Sequence, residues 1–153
     1  MKNISSHISY NEATKSITAI RKGIDNTPNE YQISNMAALA VNIFEPLREF
    51  VGGPIAINSM FRSKDLNSAI GGSSSSQHCQ GRAMDVDDKY GHKTNAEMFK
   101  FIKDNLNFDQ LIWEFGTDEN PDWVHVSYVS DDENRGYVLK AERVGGRTTY
   151  KHI

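Results

Sequence analysis

Residues 108–115 and 123–129, "FDQLIWEF" and "WVHVSYV", constrain the fold most. Both runs are short and rich in aromatic and branched residues, as strands are. In the second, Val124, Val126 and Tyr128 share one side, and Trp123, His125 and Ser127 share the other. The polar loop "GTDENPD" joins the two runs and predicts an antiparallel pair. Whatever else the chain does, it must supply a core for one face of that sheet.

The helical pattern supplies it. Met36, Leu39, Ala40, Ile43, Phe44, Leu47, Phe50 and Val51 recur at helical spacing and predict a helix near residues 35–51. Pro46 falls inside it and predicts a bend, and "GGP" at 52–54 ends it. Ser9 with Glu12 reads as a capping box opening a helix through about Thr18. Thr94 with Glu97 reads as another, opening a helix through about Asn105. Residues 55–59, 82–86 and 137–141 are further strand candidates, and 63–69 is a short helical one. In 82–86, Ala83 and Asp85 face one way and Met84 and Val86 the other. The layout is α+β: a small, mostly antiparallel sheet with segregated helices, in one domain spanning residues 1–153.

Composition excludes several function classes. Apolar residues make up 38% of the chain, enough for a packed core and too many for a disordered protein. The net charge of -3 gives no general attraction to nucleic acid or anionic membrane, so neither is expected as a partner. Five Lys or Arg residues follow position 134, alternating with Gly, Thr and Tyr, and read as a solvated tail. The single cysteine, Cys79, forbids an internal disulfide and a cysteine-rich zinc motif. The first 25 residues hold no apolar signal core, and no apolar run is long enough to cross a bilayer. A soluble cytoplasmic product is expected, assumed monomeric.

The stretch "SSSSQHCQGRAMDVDD", residues 73–88, carries the chemistry. A Ser-rich loop runs into His78, Gly81 permits a tight turn, and Asp85 follows in a strand. A histidine alone in a strand, such as His125, is usually structural. Together with His78 and Asp85 it makes two imidazoles and one carboxylate, a ligand set that suits Zn²⁺ with an open position for water. The turn brings two ligands from one side and a distant strand brings the third. Cys79 reads as a packed thiol, Asp87 and Asp88 as solvent-facing, and His92 as a surface loop residue. Trp113 and Trp123 read as core or cleft-wall residues.

The segments "SMFRS", "SQHCQGRAMD" and "WVHVS" resemble the signature of the M15 zinc peptidases, the D-Ala-D-Ala carboxypeptidase and peptidoglycan endopeptidase group. The fold implied is the one shared with the Hedgehog signalling domain, and the similarity to small phage and bacterial members extends over nearly the whole chain. The resemblance implies that His78, Asp85 and His125 hold one zinc ion. It implies that Arg62 steadies the substrate carbonyl and that Ser76 lines the substrate site. The implied reaction is hydrolysis of peptidoglycan stem peptides by metal-activated water, as a DD- or LD-carboxypeptidase or endopeptidase. An endolysin-like protein of this kind acts at the bacterial cell wall after release. An acidic chain has little attraction to an anionic wall, so a partner or a fused wall-binding subunit is also expected.

Two carboxylates compete as the general base. Asp122 stands three before His125, where the family usually places it; residues three apart on a regular strand face opposite ways, so it reaches the metal-bound water only from the bend after Pro121, before the strand becomes regular. Glu114 ends the preceding strand, and a register pairing it with His125 puts both on one face. A glutamate among Ile112, Trp113 and Phe115 needs a reason to be there.

Two other readings compete with the peptidase. The facial triad of non-haem iron oxygenases uses the same ligand types, but keeps its first histidine and acid two positions apart, whereas His78 and Asp85 are seven apart. A zinc-containing module that binds wall fragments or a partner without turnover is the second.

Overall fold

The computed structural model describes residues 2–153, and its sheet is built outward from the expected hairpin. Strands β3 (Gln110–Glu114) and β4 (Trp123–Ser127) pair antiparallel, with Ile112 opposite His125 and Glu114 opposite Trp123. On the other edge of β4 lies β2 (Ala83–Asp87), antiparallel, with Asp85 directly opposite His125. Strand β1 (Ala56–Ser59) flanks β2. Beyond β3 come β5 (Tyr137–Val144) and β6 (Arg147–His152), giving the order β1-β2-β4-β3-β5-β6.

Two expectations are corrected here. The sheet is mixed, because β5 runs parallel to β3. The chain leaving β4 crosses the start of β3 and does not turn back beside β4. Buried Asp109 fixes that crossing: it accepts from the Arg135 backbone N–H at 3.0 Å, from Nε at 2.9 Å and from Nη2 at 2.6 Å. Gly136 N–H then donates to Phe108 O at 3.0 Å and sets the parallel register. The second correction concerns the basic tail, which is a β5–β6 hairpin and not a loose end. Its turn is Gly145-Gly146, both at positive φ (58° and 78°), the two-residue geometry that suits the twist of paired strands. Every residue of β6 is exposed, so no apolar alternation announced it.

One face of the sheet is dry. Met84, Val86, Leu111, Val124 and Val126 are fully buried there, and they belong to one core with helix residues Met36, Leu39, Ile43, Phe44 and Leu47. Helix α6 (Asn95–Asn105), opened by the Thr94–Glu97 box, adds Met98, Phe99 and Ile102. The other main helix starts earlier than its apolar period, because Asn29 and Gln32 form a further capping box. It runs as α3 (Glu30–Leu39), a π-helical turn (Ala40–Phe44) and α4 (Glu45–Val51). Pro46 lies just past that widened turn, which absorbs the hydrogen bond proline cannot donate.

The remaining helices are short. The helix at Ser9 ends at Thr14 (α1, Tyr10–Thr14), and Ser16 caps a separate α2 (Ile17–Lys22). Helix α5 (Lys64–Ala69) is capped by Ser63. No helix among the described residues is long and apolar enough to cross a membrane. Since Met84 and Val86 are pinned in the core, the alternation of β2 turns Asp85 to the opposite face. Val124 and Val126 do the same for His125.

Candidate metal centre

His78 comes from a single 3-10 turn, Gln77–Gln80, whose N-cap Ser76 accepts from His78 N–H at 3.3 Å. Gly81 ends the turn at φ 74°, and a Cβ there would lie 2.4 Å from Gln32 O in α3. Glycine is therefore required twice, for its backbone angle and for the close approach. Helix α3 grips the turn in return: Gln32 Nε2 donates to Cys79 O at 3.1 Å and Asn35 Nδ2 to Gln80 O at 2.9 Å. Gln77 Nε2 donates to Asp109 Oδ2 at 2.9 Å, tying the turn to the carboxylate that organises the β4–β5 crossing.

The His78 ring is 1% exposed, and its Nδ1 lies 2.7 Å from Met60 O. A carbonyl can only accept, so Nδ1 carries the proton and Nε2 presents a lone pair. That Nε2 is buried and has no hydrogen-bond donor, although Asp85 Oδ2 is 3.4 Å away. A lone pair facing a carboxylate makes an unsatisfied pair of acceptors, and a cation between them resolves it. His125 Nδ1 lies 2.9 Å from Asp85 Oδ1, and the two imidazoles meet edge-on with centroids 5.2 Å apart. Ligand atoms of His78, Asp85 and His125 all fall within 4.8 Å of one another. This donor set, two imidazoles and a carboxylate, fits zinc.

The protonation states suit the role. Burial holds His78 below the usual imidazole range despite the pull of Asp85, keeping it neutral. Burial pushes Asp85 up, but the neighbouring His78 and His125 outweigh it and hold the carboxyl well below the ordinary range. A neutral imidazole and an ionised carboxylate are the forms that bind metal.

The cluster opens into a cleft of about 840 Å³, lined also by Arg62, Ser76, Glu114 and Trp123. Arg62 is tied at its backbone, N–H to His78 O at 3.2 Å, while its Nε is buried without a partner. Glu114 is 7% exposed and lies on the ligand face of the sheet. It stands opposite Trp123, two places from the register that pairs it with His125. A shift of two keeps the face, where a shift of one reverses it. Burial, reinforced by the charge of Asp85 and partly offset by His125, lifts its pKa to about 7.

Asp122 is placed differently. It is exposed and lines a neighbouring depression with Phe115, Asp118, Lys140 and Arg143, while its N–H donates to Glu114 O at 2.9 Å.

Other sequence candidates fall outside the cluster. Cys79 is half-buried, and burial pushes its thiol up. His92 is exposed beside Gly53. Asp87 and Asp88 are structural: Asp87 Oδ1 accepts from Asn95 Nδ2, and Asp88 Oδ1 caps Gly91 N–H, both at 2.9 Å. Trp113 stacks edge-on against Phe99 of α6, and Trp123 forms a cleft wall beside Phe115. Sequence reasoning missed Gln77, Asp109 and Arg135, which no motif marks. It also missed Leu139, Thr148 and Tyr150 of the cleft wall, for which the Gly145-Gly146 turn was the available signal.

Comparison with known proteins agrees with this geometry. Residues 6–127 match the family described as Peptidase M15, a span that takes in the clustered His78, Asp85 and His125 with Arg62, Glu114 and Asp122 and stops before β5. No curated protein matches the chain. With most of its length matched, and with the clustered groups that zinc chemistry needs, the chain belongs to the M15 peptidases and is a zinc metallopeptidase.

Proposed function

We propose that the protein hydrolyses peptidoglycan stem peptides, as a DD- or LD-carboxypeptidase or endopeptidase, with Glu114 as general base. One observation carries the choice of base. Glu114 lines the same cleft as His78, Asp85, His125 and Arg62, whereas Asp122 lines the adjacent depression.

His78, Asp85 and His125 hold one zinc ion in this reading. Zinc in such a set polarises a carbonyl and acidifies water. Glu114, buried on the wall of the same cleft, takes a proton from the attacking water and returns it to the leaving amine. Arg62 donates to the carbonyl oxygen as negative charge gathers there, since part of its guanidinium lacks any internal acceptor. Ser76 holds the His78 turn and lines the cleft beside it. Helices on one face and ligands on the other support a Hedgehog-like arrangement.

The substrate class rests on the family, and a cleft of about 840 Å³ has room for a peptide. The protein acts as a monomer at the cell wall after release, with no role for nucleic acid or membrane. Its net charge of -3 makes a wall-binding partner or fused subunit part of the same reading. Digestion of purified muropeptides by zinc-loaded protein, followed by mass spectrometry, tests it. A new amine terminus names the bond cut. Zinc-replete protein that yields none from several wall types is a binding module instead.

A further inference from the structure

Strands β5 and β6 lie outside the matched span, yet they build one wall of the cleft. Glu114 pairs with Ala141 in β5, and Ala141 pairs with Tyr150 in β6, so the three form one lateral row on the ligand face. Ala141 between them is fully buried, covered by its neighbours, and the cleft itself runs along Ile112, Leu139 and Thr148 beside it. Glu114 and Tyr150 thus stand two strand positions apart, with backbones roughly 10 Å apart, and both line the cleft that has Ile112 and Leu139 along its floor. Tyr150 is 56% exposed, and among the described residues nothing holds its hydroxyl in a hydrogen bond. Burial, with the charges of Glu114 and Asp85, raises its pKa further, so the phenol stays a donor at neutral pH.

We propose that Tyr150 is a specificity residue that touches substrate: its hydroxyl donates to a peptide carbonyl of the chain bound over Glu114, and its ring walls the cleft on the β6 side. This rests on the peptidase reading of the same cleft. It makes the β5–β6 hairpin part of the binding site and not a stabilising appendage. Thr149, one residue along β6, faces the other way and serves as the control.

The test uses zinc-loaded full-length E114Q protein, so that binding is read without turnover, with a disaccharide-tetrapeptide muropeptide as the titrant in calorimetry. Y150F in that background should weaken binding about 3- to 10-fold, the size of one neutral hydrogen bond. Y150A should weaken it by about 10-fold or more, and T149A should leave it unchanged. In the active background Y150F should raise KM more than it lowers kcat, with the melting temperature unchanged. Muropeptide binding that Y150F and Y150A leave intact overturns the role of Tyr150 while the peptidase reading stands. Absence of both muropeptide binding by E114Q and muropeptide cleavage by the wild type overturns both together.

Discussion

The central strands and the outer hairpin are built on different principles. In β2 and β4 one face is wholly buried, so Met84, Val86, Val124 and Val126 leave a single register open to Asp85 and His125. The β5–β6 hairpin has almost no buried side chains beyond Ala141, and its register is held by a Gly-Gly turn and backbone pairing. Precise placement of metal ligands needs the first kind of strand. A wall that contacts different peptides tolerates the second. The contrast predicts that changes in the central pair are felt in metal content and chemistry, and changes in the hairpin in substrate preference.

The largest effect should come from Asp85→Ala. It removes the ligand that faces both imidazoles, and we expect zinc to be lost and peptidase activity to fall by about 1,000-fold or more. Metal analysis by plasma mass spectrometry beside a muropeptide assay checks both. Glu114→Gln should come next, lowering turnover by about 10²- to 10⁴-fold with zinc content near normal. Asp122→Ala should stay within a few-fold of wild type. The reverse order in kinetic assays transfers the base to Asp122 and breaks the register argument.

Stability effects are smaller. Chelation of bound zinc should lower the melting temperature by about 10 °C, since saturating ligand contributes a few kcal/mol to a domain of this size. In metal-free protein, Glu114 has its pKa raised on folding from 4.5 to about 7. The folded state then binds the proton more tightly, and stability is lost as pH rises from about 4.5 through 7. Glu114→Gln should therefore stabilise the metal-free protein above pH 7, by up to about 3 kcal/mol, and lose that advantage below pH 4.5. Urea titrations at pH 5 and pH 8 measure the difference. The smallest effect belongs to the hairpin: Lys151→Ala breaks an exposed ion pair with Glu142 and should change stability by under about 0.5 kcal/mol in the same titrations.

The same contrast explains what the sequence discloses. The β3–β4 pair, the capping boxes at Ser9 and Thr94 and the amphipathic helix are legible because burial and capping impose residue types at fixed spacing. So is the clustering of His78, Asp85 and His125, each of which sits in a motif. Strand β6 is illegible because nothing in it is buried. The parallel placement of β5 depends on Asp109, a carboxylate whose role exists only once Arg135 and Gln77 fold around it. Alternation assigns Glu114 a face only when register is known. The observed register differs by two residues from the pairing with His125, and parity preserves the outcome.

The most direct measurement is anomalous diffraction at the zinc edge from crystals of the zinc-loaded protein. One peak bounded by His78, Asp85 and His125 is the predicted result. No peak there, or a peak held by other residues, contradicts the account.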